Sequence, residues 1–368
     1  MRHRKTSGVP VDTKRVISLK EIGKHAGLSL ATVSYALRHD PKISLSTRER
    51  VIAVAGKLGY RPNPRISSLM AHIRGANERS LQERLAFIWV HTTRSEARQN
   101  PFLRKVFAGA QDRAAQTGFV LEEFWTNEAQ MTDQRLAQIL RARGIVGVIL
   151  SPVITAEATV TLAWNWQHFA PAVIGNVTWM PELHHAGHHH YLGMQMALRE
   201  LAKLGRSRPV ALIEEKSNER SKRAWEAAFL AHYGEPKQPH SMVRVLGLTS
   251  EQGLGEWLRK TGGDALIVSE LKMLEHPGVR KVCKERGLVL VTLYWSKGTP
   301  RTIGGVDQCY DRISGHAVDL VAAQLNANET GAPDLARIML FPGRWVAPSL
   351  PKKVRSRTST TSRKKPLS

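Results

Sequence analysis

The residues with the clearest chemical potential are small polar and basic side chains close to the N-terminus. The outer positions of one short predicted helix are occupied by Leu30, Ala31, Thr32, Ser34 and Tyr35. A helix whose outer side chains are small or polar can enter the major groove of DNA, where base edges are read. Side chains around this helix that could contact phosphates are Arg38, Lys42, Ser44 and Thr47.

Three short helices are predicted to position these side chains. Ser18 and Glu21 form a capping box at the start of the first helix, and Gly27 ends that helix. Ser29 can cap the second helix, and a capping box at Ser46–Glu49 is predicted to open the third. The inward positions are taken by Ile22, Ala26, Val33, Leu37, Val51, Val54 and Leu58. This arrangement is typical of a helix-turn-helix, and a three-helix protein-interaction module is the alternative.

The positive charge of the chain is concentrated around this unit. The 368 residues have a formal net charge of +23. Residues 1–84 contain 17 lysines and arginines against 6 acidic residues, whereas residues 85–351 contain 30 against 25. A local positive field is typical of a polyanion-binding protein, although a solvated basic surface would have the same composition. Residues 1–15 are interpreted as a basic extension, and residues 351–368 as a disordered basic tail.

A proline-flanked segment follows the three helices. Pro62 ends the third helix, Asn63 is a good N-cap, and Pro64 suits a first helical turn. The next helix is only about two turns long, so we expect it to become ordered only when it packs on a partner chain and DNA. Leu69 at its far end could wedge between base pairs from the minor groove. An ordinary linker with a frayed helix is the alternative.

Residues 17–71 resemble the headpiece and hinge of the LacI (lactose repressor) family. The resemblance rests on Leu19–Ile22, Ala26–Gly27, Ser29, Ala31–Ser34, Thr47–Arg48, Val51, Leu58–Tyr60, Pro62–Asn63 and Leu69. It implies that Leu30 and Ala31 read base edges and that Leu69 intercalates. Tyr35 departs from the family pattern, which usually has an arginine that reads guanine at this position. The DNA-contact candidates are therefore Leu19, Ser29, Leu30, Ala31, Thr32, Ser34, Tyr35, Arg38, Lys42, Ser44, Thr47, Asn63, Arg65 and Leu69.

The rest of the chain, residues 85–350, alternates short apolar strands with amphipathic helices. Predicted strands are 85–90, 120–124, 146–150, 172–174, 210–213, 242–245, 265–268 and 289–293, and predicted helices include 102–117, 132–142, 192–204, 223–233 and 313–326. This alternation is typical of parallel sheets covered on both faces, and the segment is long enough for two lobes. The predicted fold class is α/β with an all-α N-terminal headpiece.

The LacI resemblance continues into this part of the chain. It rests on Asn100–Phe102, Gly109–Ala110, Gly118–Phe119, Met196–Leu201, Leu204–Gly205 and Pro209–Ile213. It implies a two-lobed, periplasmic-binding-protein-like core with crossing segments near Pro181, Gly305 and Pro333. The expected domains are a headpiece at 16–62, a hinge helix and linker at 63–84, a first lobe at 85–180 plus 307–330, and a second lobe at 184–305 plus 334–350.

The cleft between the lobes is expected to hold a small-molecule effector, by resemblance a carbohydrate or its metabolite. Sugar-responsive relatives have an arginine and an aspartate in this cleft, and Trp225 and Tyr294 occupy the corresponding stretches here. Aromatic surfaces could stack on a ring face, while loop residues could supply hydrogen bonds. The effector-binding candidates are Phe102, Asn176, Arg223, Trp225, Glu270, Tyr294, Trp295 and Asp307.

Other motifs give weaker signals. A surface loop is the preferred interpretation of the histidine-rich segment His184–His190, with a zinc site or a protonation-sensitive loop at the lobe junction as alternatives. Two cysteines are too few for a disulfide framework or a four-ligand zinc site. No nucleophile elbow, phosphate loop or dinucleotide motif is present. We therefore expect no cofactor, metal or enzymatic activity. Because there is no long apolar run, we expect no transmembrane helix and no membrane partner. With no apolar segment after the basic start and only two cysteines, we expect a cytoplasmic protein, which DNA binding would make nucleoid-associated.

These features together predict a homodimeric, sequence-specific DNA-binding transcriptional regulator, by preference a repressor. Two headpieces would bind the half-sites of a pseudo-palindromic, double-stranded operator, and the hinge helices would fold together in its central minor groove. Two alternatives stay open. One is a solute-binding or enzymatic α/β protein with an incidental basic head, and the other is a non-specific architectural DNA binder.

Replacing Leu69 with alanine tests the minor-groove wedge. Leu69→Ala should weaken operator binding by about tenfold and reduce DNA bending, because the inserted side chain is lost while the fold is kept. Gel-shift titration and a circular-permutation assay measure the two effects on one duplex. Unchanged affinity and bending would contradict the wedge.

Overall fold

The chain is divided into two units in a computed structural model that describes residues 18–37, 43–58, 83–154, 159–233, 242–247 and 253–349. The boundary lies between Leu81 and Gln82. Three helices of the N-terminal unit are described, and they are α1 (Leu19–Ala26), α2 (Leu30–Leu37) and α3 (Leu45–Lys57). Their shared core consists of Ile22, Val33, Ala36, Val51 and Ala55.

The start of α1 is as predicted, but α3 begins earlier. The Ser18 amide donates to Glu21 Oε2 (2.8 Å) and the Glu21 amide donates to Ser18 Oγ (3.3 Å), which confirms the first capping box. Ser44, with an extended ψ of 148°, caps α3 and accepts a hydrogen bond from the Thr47 amide (3.3 Å). The predicted capping box at Ser46–Glu49 was wrong, because Ser46 already lies within the first turn of α3.

The second unit contains two six-stranded sheets, one in each lobe. The strands of the first sheet are β1 (Arg84–Trp89), β2 (Val120–Trp125), β3 (Gly147–Leu150), β5 (Ala170–Ile174), β7 (His184–His188) and β13 (Ile338–Phe341). All of them are parallel, and their order in the sheet is β13-β7-β5-β3-β1-β2. In the second, order β14-β12-β11-β10-β8-β9, only β14 is antiparallel. Its bounds are β8 (Pro209–Glu214), β9 (Val243–Leu246), β10 (Ala265–Val268), β11 (Val289–Thr292), β12 (Ile303–Asp307) and β14 (Arg344–Val346). The short strands β4 (Thr159–Val160) and β6 (Thr178–Trp179) pair separately.

Helices cover the sheets of both lobes. Those of the first lobe are α4 (Arg94–Gln99), α5 (Pro101–Gln116), α6 (Asp133–Ala142) and α12 (Tyr310–Ala327), with a 3₁₀ turn at Trp166–His168. Those of the second lobe are α7 (His190–Lys203), α8 (Glu215–Arg220), α9 (Ala224–His232), α10 (Leu254–Thr261) and α11 (Pro277–Arg286), with a 3₁₀ turn at Leu271–Glu275. Every residue of β3, β5, β8 and β10 is buried, as parallel strands covered on both faces require. The α/β prediction is therefore confirmed.

The chain crosses between the lobes at His189, at Gln308–Cys309 and at Pro342–Gly343. The second crossing lies near Gly305, as predicted, whereas the first and third do not lie near Pro181 and Pro333. Gly305 lies inside β12, while β7 and β13 both belong to the first sheet. The lobe boundaries at 180, 184, 330 and 334 were therefore wrong. Neither β7 nor β13 resembles a buried parallel strand in sequence, because β7 is rich in histidine and β13 exposes alternate side chains.

The histidine-rich segment is part of the core, so its interpretation as a surface loop was wrong. His184 and His188 are buried on β7, which pairs on both sides with β5 and β13, and His190 is buried at the start of α7. The first and third crossings are joined by a hydrogen bond from the His189 amide to the Phe341 carbonyl (2.7 Å). A Cβ added to Gly193 would lie 2.6 Å from His188 Nε2, so the ring packs directly against α7. Within the described ranges, no group of three potential metal ligands comes together.

Burial lowers the pKa of His188 from 6.5 to about 3, and it also lowers the pKa of His190 well below its ordinary value. A buried imidazole is desolvated, which disfavours the protonated form. In the unfolded chain the ring takes up a proton near pH 6.5, whereas in the folded chain it stays neutral until about pH 3. The stability contributed by the neutral ring is therefore complete above pH 6.5 and is lost as the pH falls toward 3.

This difference predicts acid-sensitive folding. The free energy of unfolding should fall by about 1.4 kcal/mol per pH unit and per buried histidine below pH 6.5. Denaturant titrations between pH 7 and pH 4 measure this slope. In His188→Leu the change in unfolding free energy per pH unit should be smaller by the contribution of one histidine. In the double variant that also carries His190→Leu, it should be smaller by the contributions of two histidines. Equal slopes in the parent chain and both variants would contradict this origin of the acid sensitivity.

No helix in the described ranges is long and apolar enough to span a bilayer.

Candidate nucleic-acid interface and effector site

The second helix of the N-terminal unit presents an uncharged outer face. Val33 and Ala36 are buried in the headpiece core, which directs Leu30, Ala31 and Tyr35 outward. Leu30 is 56% exposed and Tyr35 is 39% exposed. The face that sequence reasoning assigned to DNA is therefore solvent-accessible and lies opposite the core.

The hydroxyl candidates lie at the starts of α2 and α3. Ser29 Oγ accepts a hydrogen bond from the Thr32 amide (3.1 Å) and lies 2.9 Å from Thr32 Oγ1. Ser44 Oγ repeats this pattern with Thr47, whose Oγ1 lies 2.9 Å away. These four residues thus fix where the helices begin, and Ser34 lies half-buried on α2.

The remaining candidates for DNA contact divide into two groups. Leu19 is half-buried and packs against the headpiece core, so its side chain contributes to folding. The others lie outside the described residues, and they are Arg38, Lys42, Asn63, Arg65 and Leu69.

In the second unit, aromatic rings from both lobes form a series of contacts near the crossings. Trp225 on α9 packs against Tyr294 (ring centroids 5.9 Å apart) and against His190 (4.7 Å). In the first lobe, Phe102 contacts Tyr310 (4.9 Å). Burial raises the pKa of Tyr294 to about 12 and also raises the pKa of Tyr310 well above its ordinary value, so both phenols remain protonated donors. Trp225 and Tyr294 therefore belong to an aromatic cluster of the second lobe, whereas Phe102 belongs to a separate aromatic pair in the core of the first lobe.

A polar network lies beside this cluster. Arg220 donates from Nη2 to Ser217 Oγ (2.8 Å), and that hydroxyl donates to Glu270 Oε1 (2.8 Å). Arg220 Nη1 also reaches the Ile154 carbonyl of the first lobe (3.4 Å), which makes Arg220 a bridge between the lobes. Burial raises the pKa of Glu270 and outweighs the opposing effects of Ser217 and Arg220. Glu270 is therefore a desolvated carboxyl group at the interlobe surface.

Several buried polar atoms around the cluster lack a hydrogen-bond partner among the described residues. They are Trp225 Nε1, His190 Nδ1, both ring nitrogens of His188, Asn218 Oδ1 and Gln308 Oε1. The Phe341 carbonyl lies near the His188 ring but outside hydrogen-bond geometry. Buried polar groups are rarely left unpaired in folded proteins. Donors and acceptors at this junction can therefore be satisfied by a polar ligand or by water.

Four effector candidates have other structural contacts. The side chain of Asn176 holds the end of β7. Its Nδ2 donates to the His188 carbonyl (3.2 Å), and its Oδ1 accepts a hydrogen bond from the His188 amide (3.1 Å). Arg223 is exposed and pairs with Glu226 (2.8 Å). The Trp295 backbone amide donates to the Val306 carbonyl (3.0 Å).

Asp307, the fourth of these candidates, joins elements of both lobes. Its carboxylate accepts hydrogen bonds from Lys105 on α5 (3.1 Å), Arg344 on β14 (3.1 Å) and the Cys309 amide (3.0 Å). Burial alone would raise the pKa of Asp307, but the Cys309 amide and the two cations outweigh it and hold the pKa below its ordinary value. Asp307 thus links α5, β14 and the backbone of the second crossing.

Sequence reasoning omitted several residues of this junction from the effector set. Tyr310 follows β12, which was not predicted as a strand, whereas the sequence does offer Gln308 as a loop residue that could supply hydrogen bonds. Arg220 lies on α8, directly after β8, and this position after a strand could have indicated that Arg220 belongs to the site. Side chains just beyond the carboxyl ends of parallel strands meet at one edge of the sheet. His190 could not be found in this way, because its segment was interpreted as a loop.

Comparisons with known proteins agree with this architecture. Residues 18–63 match the family model described as bacterial regulatory proteins, lacI family. The HTH-type transcriptional regulator MalR of Staphylococcus xylosus is 24% identical over 135 residues, which are 37% of this chain and 37% of MalR. The regulator GalS of Salmonella typhimurium is 34% identical over 58 residues, or 16% of this chain and 17% of GalS. The matches thus span well under half of either regulator.

The fold of the larger unit also has a solved counterpart. A LacI-family transcriptional regulator from Rhizobium etli superposes with a TM-score of 0.50 at 13% identity, covering 70% of this chain and 96% of that protein. At this identity the likeness concerns the fold alone. The lacI-family match is confined to the headpiece at residues 18–63, and the likeness to the Rhizobium etli regulator is one of fold.

Proposed function

We propose that this protein is a sequence-specific DNA-binding transcriptional regulator, by preference a repressor, that acts as a homodimer on a pseudo-palindromic operator. The observation that carries the proposal is the three-helix unit whose second helix turns its accessible, uncharged face away from the core. The lacI-family match covers this same unit. The net charge of +11 in residues 1–84 supports attraction to the DNA backbone. The proposal includes a cytoplasmic, nucleoid-associated location.

The proposal further assigns effector binding to the junction of the two lobes. Support comes from the aromatic pair Trp225 and Tyr294, the half-buried carboxyl group of Glu270 and the unpaired donors and acceptors beside them. Rings that stack and polar atoms that need partners suit a carbohydrate or another small polar metabolite. Such a ligand would regulate DNA binding only if its affinity differs between two arrangements of the lobes.

Selection of bound genomic DNA, followed by footprinting with the full-length protein, tests the DNA-binding proposal. We expect a protected, pseudo-palindromic site that competes strongly against random duplex at the same salt concentration. A steep salt dependence with no preference between this site and random duplex would support an architectural DNA binder instead. Absence of protection, with or without metabolite extract, would overturn the proposal and favour a solute-binding or enzymatic protein.

Effector binding is tested by a thermal-shift and tryptophan-fluorescence screen of carbohydrates and their phosphorylated metabolites. For a ligand that binds, Tyr294→Phe should weaken affinity by roughly two- to tenfold, because one hydroxyl contact is removed. Tyr233→Phe is the matched control, since the Tyr233 hydroxyl donates to the Pro209 carbonyl inside the second lobe. Equal losses in the two variants would argue against a ligand at the junction.

A further inference from the structure

The recognition face of α2 lacks the side chains that usually read purines. Guanine is most often read by arginine or lysine, and adenine by asparagine or glutamine, through paired hydrogen bonds in the major groove. The eight residues of α2, Leu-Ala-Thr-Val-Ser-Tyr-Ala-Leu, include none of these four types. Thr32 Oγ1 lies 2.9 Å from Ser29 Oγ and is thereby committed to the helix cap. Paired hydrogen bonds to purines are therefore not available from the side chains of α2.

The same face exposes apolar surface that the headpiece does not need for folding. Val33 and Ala36 supply the contribution of α2 to the core, yet Leu30 is 56% exposed and Ala31 is also exposed. Ala31 and Tyr35 lie one turn apart, and Leu30 lies beside them, so the three side chains share the outward surface. In the major groove, the apolar group among the base edges is the C5-methyl of thymine.

We propose that α2 recognises thymine methyl groups, with Leu30 as the principal contact and Ala31 and Tyr35 beside it. This inference rests on the proposed DNA-binding function and specifies which base chemistry the helix reads. Each operator half-site would then contain thymine at a position facing Leu30, in place of a guanine read by paired hydrogen bonds. Burying one methyl group should raise affinity about fourfold, so two symmetric half-sites together should contribute about sixteenfold.

Replacement of thymine by deoxyuridine tests this directly, because it removes only the C5-methyl group. The full-length protein is titrated against its selected operator and against duplexes in which one symmetric pair of thymines at a time is replaced. We expect at least one pair at which the replacement weakens binding by about sixteenfold. The Leu30→Ala variant should bind the thymine operator more weakly and should lose the deoxyuridine penalty at that pair.

Ile52→Ala is the matched control for the variant. Ile52 is an exposed apolar residue (44%) on α3 of the same unit, so its truncation removes similar surface outside α2. This control should keep the full deoxyuridine penalty, and circular dichroism should show native helix content for both variants, because neither side chain belongs to the headpiece core.

The outcomes separate the methyl contact from the proposed function. Operator-specific binding that is insensitive to every deoxyuridine replacement would overturn methyl recognition while leaving the proposed function intact. A penalty that persists in Leu30→Ala would overturn the assignment to Leu30. Failure to select any specific sequence would overturn the proposed function and this inference together.

Discussion

The carboxylate of Asp307 is the interaction on which the two-lobed arrangement depends most. It lies at the end of β12, where the chain leaves the second lobe, and it binds Lys105 of the first lobe and Arg344 of β14. A partly buried carboxylate is stable only if its lost hydration is replaced, and here two cations and the Cys309 amide replace it. The same contacts hold α5, β14 and the second crossing together.

The aromatic and polar cluster follows from the same geometry. Because the strands of each sheet are parallel, their carboxyl ends gather at one edge, and the segments after β10, β11 and β12 bring Glu270, Tyr294 and Gln308 to the junction. Arg220 then reaches the first lobe through the Ile154 carbonyl. A ligand that pairs with His188 of the first lobe as well as with Trp225 of the second would contact both lobes. A change in lobe arrangement would therefore be energetically linked to binding.

The N-terminal unit has only a few buried residues with which to stabilise three helices. Its core is small, so the capping interactions of Ser18, Ser29 and Ser44 help to fix where each helix begins. Fixing those starts also determines which side chains of α2 face outward. Specificity can then reside in Leu30 and its neighbours on the outer face, because these side chains are not members of the headpiece core.

The sequence alone determined the local features of this protein. Capping residues and helical spacing predicted the three helices, and apolar strands alternating with helices predicted parallel sheets, because these signals are encoded within a few neighbouring residues. It could not determine which strands share a sheet. The histidine-rich β7 and the half-exposed β13 have no local signature of a buried strand, and only pairing with distant strands defines them. For the same reason Arg223 points to solvent while Arg220, three residues earlier, bridges the lobes. Such differences depend on contacts between residues far apart in the chain, which only the tertiary structure decides.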